Sequence, residues 1–225
     1  TLNINKNLLF IEYGSHVSNG DNGKKPSKNN KPRKYFYNQL TIHIFNETKE
    51  NKRINVKIFN NGRVQMTGIN NEFQGENTIQ TLCHELNILN KKETIFDNRE
   101  EIQSIEVLKT VLINSDFDIG FPIDREALHR AIIESGYYSS YEPCNYPGVN
   151  IKYYRNPLRQ NFGICDCEKP CNGKGKDDTC KKITVAVFKS GKIIITGGRD
   201  KSDISVAHKF ITEFIHENKE FILLK

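Results

Sequence analysis

The chain has 225 residues, 36% of them hydrophobic, and a formal net charge of +6. This length can bury one large core or two small ones, and the mean hydropathy of −0.61 is typical of a water-soluble protein. No apolar run is long enough to span a bilayer. The sequence contains no nucleophile motif, phosphate-binding glycine loop or HExxH pair, so we expect no enzymatic activity. The modest positive charge suits a phosphate-rich partner, although many proteins of this charge bind no nucleic acid.

The first half of the chain predicts an insertion, three strands and a helix. Residues 18–33 are rich in Gly, Asn, Lys and Pro, and we interpret them as a flexible basic insertion rather than a nucleic-acid contact. Apolar and polar residues then alternate with period two, which predicts strands with one buried face, at residues 37–44, 54–59 and 63–68. The pair Asn61-Gly62 is typical of a hairpin turn. A weaker helical spacing follows at Ile79, Leu82, Leu86 and Leu89.

The second half repeats this order of patterns. Residues 146–153 align with residues 37–44, and residues 183–197 align without a gap with residues 54–68. Aromatic, glycine, basic and Thr-Gly positions coincide, which indicates an internal repeat. The second hairpin turn is Ser190-Gly191. Two helices are predicted in this half, one after Pro122 capped by Asp124 and one through residues 204–215 capped by Ser202 or Asp203.

These patterns predict an α+β fold made of two related copies, at residues 1–98 and 99–225. Each copy is an antiparallel sheet with helices on one face. Two such sheets can join into one continuous curved sheet, a pseudo-twofold saddle with every helix on its convex side. The other face of the sheet is then left bare, and we expect function there.

The predicted bare face combines basic, small polar and apolar side chains. In the first copy its residues are Gln39, Thr41, His43, Asn55, Lys57, Phe59, Arg63, Gln65 and Thr67. In the second copy they are Asn150, Lys152, Thr184, Ala186, Phe188, Lys192, Ile194 and Thr196. An outward phenylalanine at the same position of each copy is costly without a partner. Proteins that bind the DNA minor groove insert such apolar wedges between base steps; alternatively, both rings pack under neighbouring loops.

Several motifs give the chain a family resemblance. They are Phe121-Pro122-Ile123, Tyr138-Ser139-Ser140-Tyr141-Glu142-Pro143, Tyr146-Pro147-Gly148 and the segment from Phe188 to Gly197. In this order they resemble the second repeat of TATA-box-binding proteins, which are themselves the standard example of minor-groove wedging. The first repeat is similar more loosely, through Phe59, Gly62, Arg63, Thr67 and Gly68. The resemblance covers about Tyr37 to Phe221, and the divergence resembles a giant-virus or protist version.

The resemblance implies a transcription initiation factor that binds and bends AT-rich double-stranded DNA through the minor groove. It implies wedge residues at Phe59 and Phe188, with Tyr37 and Tyr146 as their partners. The implied DNA-binding residues are Tyr37, His43, Lys57, Phe59, Arg63, Gln65, Thr67, Asn114, Tyr146, Asn150, Lys152, Phe188, Lys192, Ile194 and Thr196. Tyr141 and Glu142 match a segment that docks a B-type initiation factor, which links the protein to the RNA polymerase machinery. The implied compartment is the nucleus, or a cytoplasmic viral factory.

The chain also departs from the family pattern. Lys57 and Gln65 replace apolar groove-lining residues, and Leu112 occupies the position of a central Asn, with Asn114 two residues further on. The matching Asn of the first repeat would precede Thr1. Because the minor groove mainly separates A·T from G·C, these changes can relax a strict preference for TATA. Two other functions stay open: an interaction module that recruits or sequesters transcription factors without binding TATA, and a repair glycosylase, which would need a catalytic helical domain.

Four of the six cysteines fall within the insertion at residues 158–182. They are Cys165, Cys167, Cys171 and Cys180. Four thiolates this close can bind one structural zinc ion, and two local disulfides or four free thiols are the alternatives. We expect this loop to stiffen the part of the saddle that carries Tyr146 and Phe188, or to present a docking surface. Cys83 and Cys144 are predicted to be unpaired packing residues.

Overall fold

The computed structural model describes residues 8–13, 16–19, 37–45, 53–94, 102, 108–168, 171–176 and 179–224. The chain divides into two compact units, Thr1–Leu108 and Lys109–Lys225. The predicted boundary between the copies, after residue 98, lies shortly before this division. None of the helices in the described ranges is both long and apolar enough to cross a membrane.

The described residues of the first unit form a five-stranded antiparallel sheet and one long helix. Its elements are β1 (Leu8–Tyr13), β2 (His16–Asn19), β3 (Gln39–Phe45), β4 (Arg53–Phe59), β5 (Val64–Thr67) and α1 (Glu72–Lys92). The strand order is β2-β1-β3-β4-β5. The three predicted strands and the helix are confirmed. Ser18 and Asn19, predicted as the start of a flexible insertion, instead end strand β2, and residues 20–33 of that insertion lie outside the described residues.

In the part of the second unit that the structure describes, six strands form an antiparallel sheet and three helices accompany it. Its elements are β6 (Ile113–Asp118), α2 (Arg125–Glu134), β7 (Tyr138–Ser140), β8 (Val149–Asn156), β9 (Arg159–Gly163), β10 (Lys181–Val187), β11 (Lys192–Gly198), α3 (Lys201–Glu217) and α4 (Lys219–Ile222). The strand order is β6-β11-β10-β8-β7, and β9 pairs with β8. Strands β8, β10 and β11 fall where the repeat predicts them.

Each unit buries one face of its sheet in a core of its own. In the second unit, inward residues of β10 and β11 such as Val185 and Ile195 pack against Ile211 and Ile215 of α3 and Leu128 of α2. In the first unit, Ile42, Ile54 and Val56 pack against Ile79 and Leu82 of α1. The α+β class is therefore confirmed. Hydrogen bonds between the described strands form two sheets, one in each unit, and their junction into a single curved sheet stays a prediction.

Two glycines close the predicted hairpins. Gly62 and Gly191 have φ angles of 78° and 90°, in the left-handed region that favours glycine. A side chain at Gly191 would also collide with the carbonyl oxygen of Phe121. Both turns are confirmed, with β4 leading into β5 and β10 into β11.

The cap of α3 differs from the prediction. Asp200 caps this helix, because its carboxylate accepts the backbone N–H of Asp203 at 2.8 Å, whereas Ser202 and Asp203 lie in the first turn. Asp203 is buried and has another role: its carboxylate accepts hydrogen bonds from the Arg155 guanidinium at 2.5 Å and from the backbone N–H of Arg199 at 2.9 Å. A charge-assisted hydrogen bond thus joins α3 to β8. The cap of α2 is Asp124, as predicted.

Adjacent isoleucines on α2 provide a test of the second core. Ile132 is completely buried, and Ile133 is 47% exposed. We expect Ile132→Ala to lower the free energy of unfolding by about 2–5 kcal/mol, because it opens a cavity in the core. Ile133→Ala should change it by no more than about 0.5 kcal/mol. Denaturant unfolding followed by circular dichroism measures both, and equal losses would contradict this core.

Candidate nucleic-acid interface

The helix-free face of the second sheet presents side chains in rows that cross the strands, because directly paired residues of antiparallel strands point to the same side. The threonine row contains Asn114, Thr196, Thr184 and Lys152, in the order β6, β11, β10 and β8. The isoleucine row contains Asp116, Ile194, Ala186 and Asn150 in the same order. One step closer to the β10–β11 turn, Asp118 pairs with Lys192. The seven predicted residues of the second copy's bare face other than Phe188 therefore lie side by side on one surface.

Lys152 is held over this surface by its neighbours. Its ammonium donates hydrogen bonds to the Asn150 side-chain oxygen at 2.8 Å and to the Thr184 hydroxyl at 3.0 Å. Partial burial lowers the pKa of Lys152, and the positive charge of Lys182 adds to this effect. An anion bound beside Lys152 would favour its charged form, because opposite charges attract.

Tyr146 and Phe188 form an aromatic pair beside the β10–β11 turn. Their ring centroids are 5.8 Å apart at an interplanar angle of 62°, an edge-to-face arrangement. Tyr146 is 41% exposed, and Phe188 is half-buried. A side chain at Gly148 would meet both rings at 3.0–3.2 Å, so this glycine makes room for the pair. The structure brings the predicted wedge and its predicted partner together, with one edge of the pair open.

The first sheet repeats these rows with different chemistry. Its rows are Thr67, Asn55 and His43, then Gln65, Lys57 and Thr41, then Phe59 and Gln39. The Asn55 amide nitrogen lies 3.2 Å from His43 Nε2, and the buried Asn55 Oδ1 has no hydrogen-bond partner among the described residues. Arg63 and Tyr37 are exposed.

Two residues predicted to face outward are buried. Thr41 and Ala186 are 8% and 4% exposed. Both side chains point to the helix-free face, but they are short and lie between longer neighbours, Lys57 for the first and Ile194 with Asn150 for the second. Their side chains therefore lie at the base of each surface and do not project from it.

Three charged residues on the second surface are missing from the sequence-based prediction. Asp116 and Asp118 are exposed and share the face of Asn114 on β6, and Lys182 is exposed on the face of Thr184 on β10. Period-two alternation from Asn114 and Thr184 was the signal that could have identified them. The surface therefore carries both signs of charge.

Tyr141 and Glu142 lie beside helix α2. The Tyr141 ring packs against the second core and lies under the Arg125 guanidinium, 5.3 Å from its centroid. Glu142 is exposed, and its carboxylate accepts a hydrogen bond from the Asn145 amide at 2.7 Å. One oxygen of the carboxylate that was predicted to meet a partner is therefore already hydrogen-bonded to Asn145.

The four cysteines of the insertion form one cluster. The sulfur atoms of Cys165, Cys167, Cys171 and Cys180 all lie within 4.8 Å of one another, and the pair Cys167–Cys180 is 3.5 Å apart. None of these four cysteines is in a disulfide bond, and neither is Cys83 or Cys144. Cys144 is exposed, so the prediction that it is a packing residue is wrong. The edge of a tetrahedral zinc–thiolate site is about 3.8 Å for bonds of about 2.3 Å. The cluster could therefore hold a metal ion with little rearrangement.

The pKa values of these thiols are shifted in different directions by their surroundings. Burial raises the pKa of Cys180 to about 12, and hydrogen bonding with Cys167 adds to this effect. The pKa of Cys167 is lowered, mainly by the backbone N–H of Cys180. The backbone N–H of Gly173 donates a hydrogen bond to the Cys171 sulfur at 3.3 Å.

The cysteine loop lies at the opposite end of the strands from the aromatic pair. It joins the Arg155 end of β8 to the Lys181 end of β10, whereas Tyr146 and Phe188 flank the Val149–Val187 end. Six residue steps separate the two ends, about 20 Å at about 3.3 Å per residue. The expectation that this loop directly stiffens the segment carrying the aromatic pair is therefore wrong. The loop is instead tied to its own end of the sheet, through bonds such as that from Lys182 N–H to the Gly173 carbonyl at 2.9 Å.

Comparisons with known proteins agree with this architecture. Residues 108–218 match the sequence profile of the family described as transcription factor TFIID (or TATA-binding protein, TBP). A TATA-box-binding protein-like protein of Acanthamoeba polyphaga mimivirus is 30% identical over 197 residues, which are 84% of this chain and 48% of that protein. The structure of Methanococcus jannaschii TBP superposes with a TM-score of 0.50 at 22% identity, covering 80% of this chain and 78% of the other.

The structural match defines the class: this is an α+β protein with the TBP fold. The profile match identifies residues 108–218 as a TATA-binding-protein domain, and the viral relative is similar to this chain over both units. It spans about half the length of the viral relative.

Proposed function

We propose that this protein binds double-stranded DNA through the minor groove, bends it and recruits transcription machinery to it. The observation that carries the proposal is the Tyr146–Phe188 pair, an open aromatic edge beside a helix-free sheet. Aromatic wedges that unstack a base step kink the duplex, so that it follows a larger protein surface. Phe59 occupies the matching position in the first unit, which supports one wedge in each half. We also propose that the protein acts in the nucleus or in a viral factory.

The basic residues of the two surfaces support binding to the DNA backbone. Arg63 and Lys192 are exposed at matching hairpins, next to the predicted wedges. Lys152 and Lys182 lie together at the other end of the second surface. Lys and Arg side chains that neutralise phosphates release counterions and dominate the affinity for DNA. Thr196 lies in the same row as Lys152, and Thr67 is its counterpart in the first unit; we propose that both hydroxyls meet base edges.

A second candidate function is an interaction module of the same fold that does not bind TATA and recruits or sequesters transcription factors. The polar side chains of Lys57 and Gln65, and the carboxylates of Asp116 and Asp118, favour this candidate. Carboxylates on a surface that faces phosphates oppose binding. Binding of a B-type factor by Tyr141 and Glu142 is part of both candidate functions.

We further propose that the cysteine cluster holds one structural zinc ion. Four sulfur ligands favour zinc over oxygen-seeking cations, and a closed four-ligand site is structural rather than catalytic. Among the described residues from Ile164 to Thr179, no side chain is buried, so this loop has no apolar core to fix it. A metal–thiolate centre supplies that organisation in small loops. The N–H of Gly173 that donates to Cys171 provides the outer hydrogen bond that stabilises a thiolate ligand.

The DNA-binding proposal is tested by gel shift and by duplex bending. We expect the wild-type protein to retard AT-rich duplexes and to bring fluorophores at the two duplex ends closer together. Phe188→Ala should weaken binding by about tenfold or more, equivalent to about 1.4 kcal/mol, and should reduce bending at the same time, because one wedge is lost. Phe221→Ala on α4, where the ring is 52% exposed, is the matched control and should change neither. Absence of retardation for every duplex would favour the interaction module, and unchanged bending in Phe188→Ala would remove Phe188 from the wedge role.

Phosphate contacts are tested by the salt dependence of affinity. We expect Lys192→Ala and Arg63→Ala each to weaken binding to all sequences alike and to reduce the slope of log K against log salt by roughly one unit. Lys209→Ala, on α3 and paired with Glu213 at 3.8 Å, is the control and should leave the slope unchanged. A loss confined to one DNA sequence would instead indicate a base contact.

The zinc proposal is tested by elemental analysis of the purified protein. We expect about one zinc per chain, and we expect Cys171→Ser to lose it, because a closed site needs all four ligands. Cys144→Ser, at an exposed cysteine outside the cluster, should retain it. Removing the metal should expose residues 158–182 to proteolysis and leave the second core folded. Mass spectrometry that shows two local disulfides, with no metal, would overturn the site.

A further inference from the structure

Asp116 lies on β6, the edge strand of the second sheet as described, and neither the family pattern nor the basic character of the chain explains it. It pairs with Ile194, and the row continues through Ala186 to Asn150. Asp116 and Ile194 are exposed, the isoleucine by 38%. The row thus places one carboxylate beside an apolar strip, on the face that the proposed function assigns to DNA.

The carboxylate of Asp116 is not neutralised. It makes no hydrogen bond or ion pair with any described residue, and its row contains no cation. Lys152 lies in the threonine row, bonded to Asn150 and Thr184, and Lys192 lies opposite Asp118. Asp116 is therefore a hydrogen-bond acceptor without a partner among the described residues. The other three residues of its row are uncharged.

The minor groove offers such an acceptor only one kind of partner. An A·T pair shows only acceptors there, the adenine N3 and the thymine O2, whereas a G·C pair adds the guanine N2 amino donor. An ionised carboxylate has no proton to donate, so it repels the edge of A·T and accepts a hydrogen bond from guanine. Hydrogen bonds to charged groups are the stronger ones.

We propose that Asp116 is a specificity-determining residue that selects a G·C pair at the base step facing the isoleucine row, by accepting a hydrogen bond from the guanine N2 amino group. The inference rests on the proposed DNA binding and deepens it. The second unit then reads a mixed site, with A·T pairs tolerated over the threonine row and a guanine required over the isoleucine row. The first unit has no such requirement in its matching row, because Lys57 is a donor and Gln65 both donates and accepts.

Base analogues test this without altering the protein. A single G·C pair is moved stepwise through an AT-rich duplex, and affinity is measured by fluorescence anisotropy at one salt concentration. At one position G·C should bind about tenfold more tightly than A·T. Replacing that guanine by inosine, which lacks only the 2-amino group, should abolish the gain. Replacing adenine of an A·T pair at that position by 2,6-diaminopurine, which adds a minor-groove amino group, should restore it.

Two variants then assign the effect to one residue. Asp116→Ala should bind the guanine, inosine and adenine duplexes alike. Asp118→Ala removes the same charge two residues further along the same face of β6, and should raise all affinities together while keeping the preference for guanine. Binding with no response to inosine, or an equal loss of preference in both variants, overturns the inference and leaves the proposed function standing. Failure of the wild-type protein to bind any of these duplexes overturns the proposed function itself.

Discussion

The structure depends on one constraint, which is that each sheet must bury one face against helices. In β10 the residues Ile183, Val185 and Val187 are completely buried under α3, and their outward neighbours, such as Thr184 and Lys182, have no packing role in the core. Burial of apolar area supplies most of the stability, so the inward set is restricted to branched aliphatic residues. The outward set is free to change, and a binding surface can evolve there without loss of the fold.

This separation explains which parts of the fold the sequence predicts. Period-two alternation identifies β3, β4, β8, β10 and β11, and two Gly-containing pairs identify the turns between hairpin strands. The cap of α3 was assigned wrongly, because Asp200, Ser202 and Asp203 all have side chains that can cap a helix. Only the position of Arg155, 48 residues away in sequence, draws Asp203 into a buried hydrogen bond and leaves Asp200 at the helix end. A local pattern cannot contain that information.

At the candidate site, too, a local sequence pattern predicts some features and not others. Alternation places Thr196 and Ile194 on the helix-free face, but the burial of Ala186 depends on side chains of two adjacent strands. The cysteine cluster is visible in the sequence because its four members are close together, whereas its distance from Phe188 follows only from the antiparallel pairing of β8 and β10. Asp116 could have been found from alternation alone. The family resemblance indicates Asn114 on that strand and not Asp116.

The two units keep the same cross-strand register while the chemistry of their outer rows has diverged. The row that contains Ile194 and Ala186 in the second unit contains Gln65 and Lys57 in the first, and the turns that end both rows are matched glycine hairpins. A symmetrical surface would read a symmetrical site, because equal side chains in equal positions meet equal base edges. Under the proposed function, unequal rows would place different hydrogen-bond requirements on the base pairs that each unit meets. Under the proposed function, divergence between the repeats would let this fold distinguish the two orientations of a DNA site, through residues that the core does not constrain.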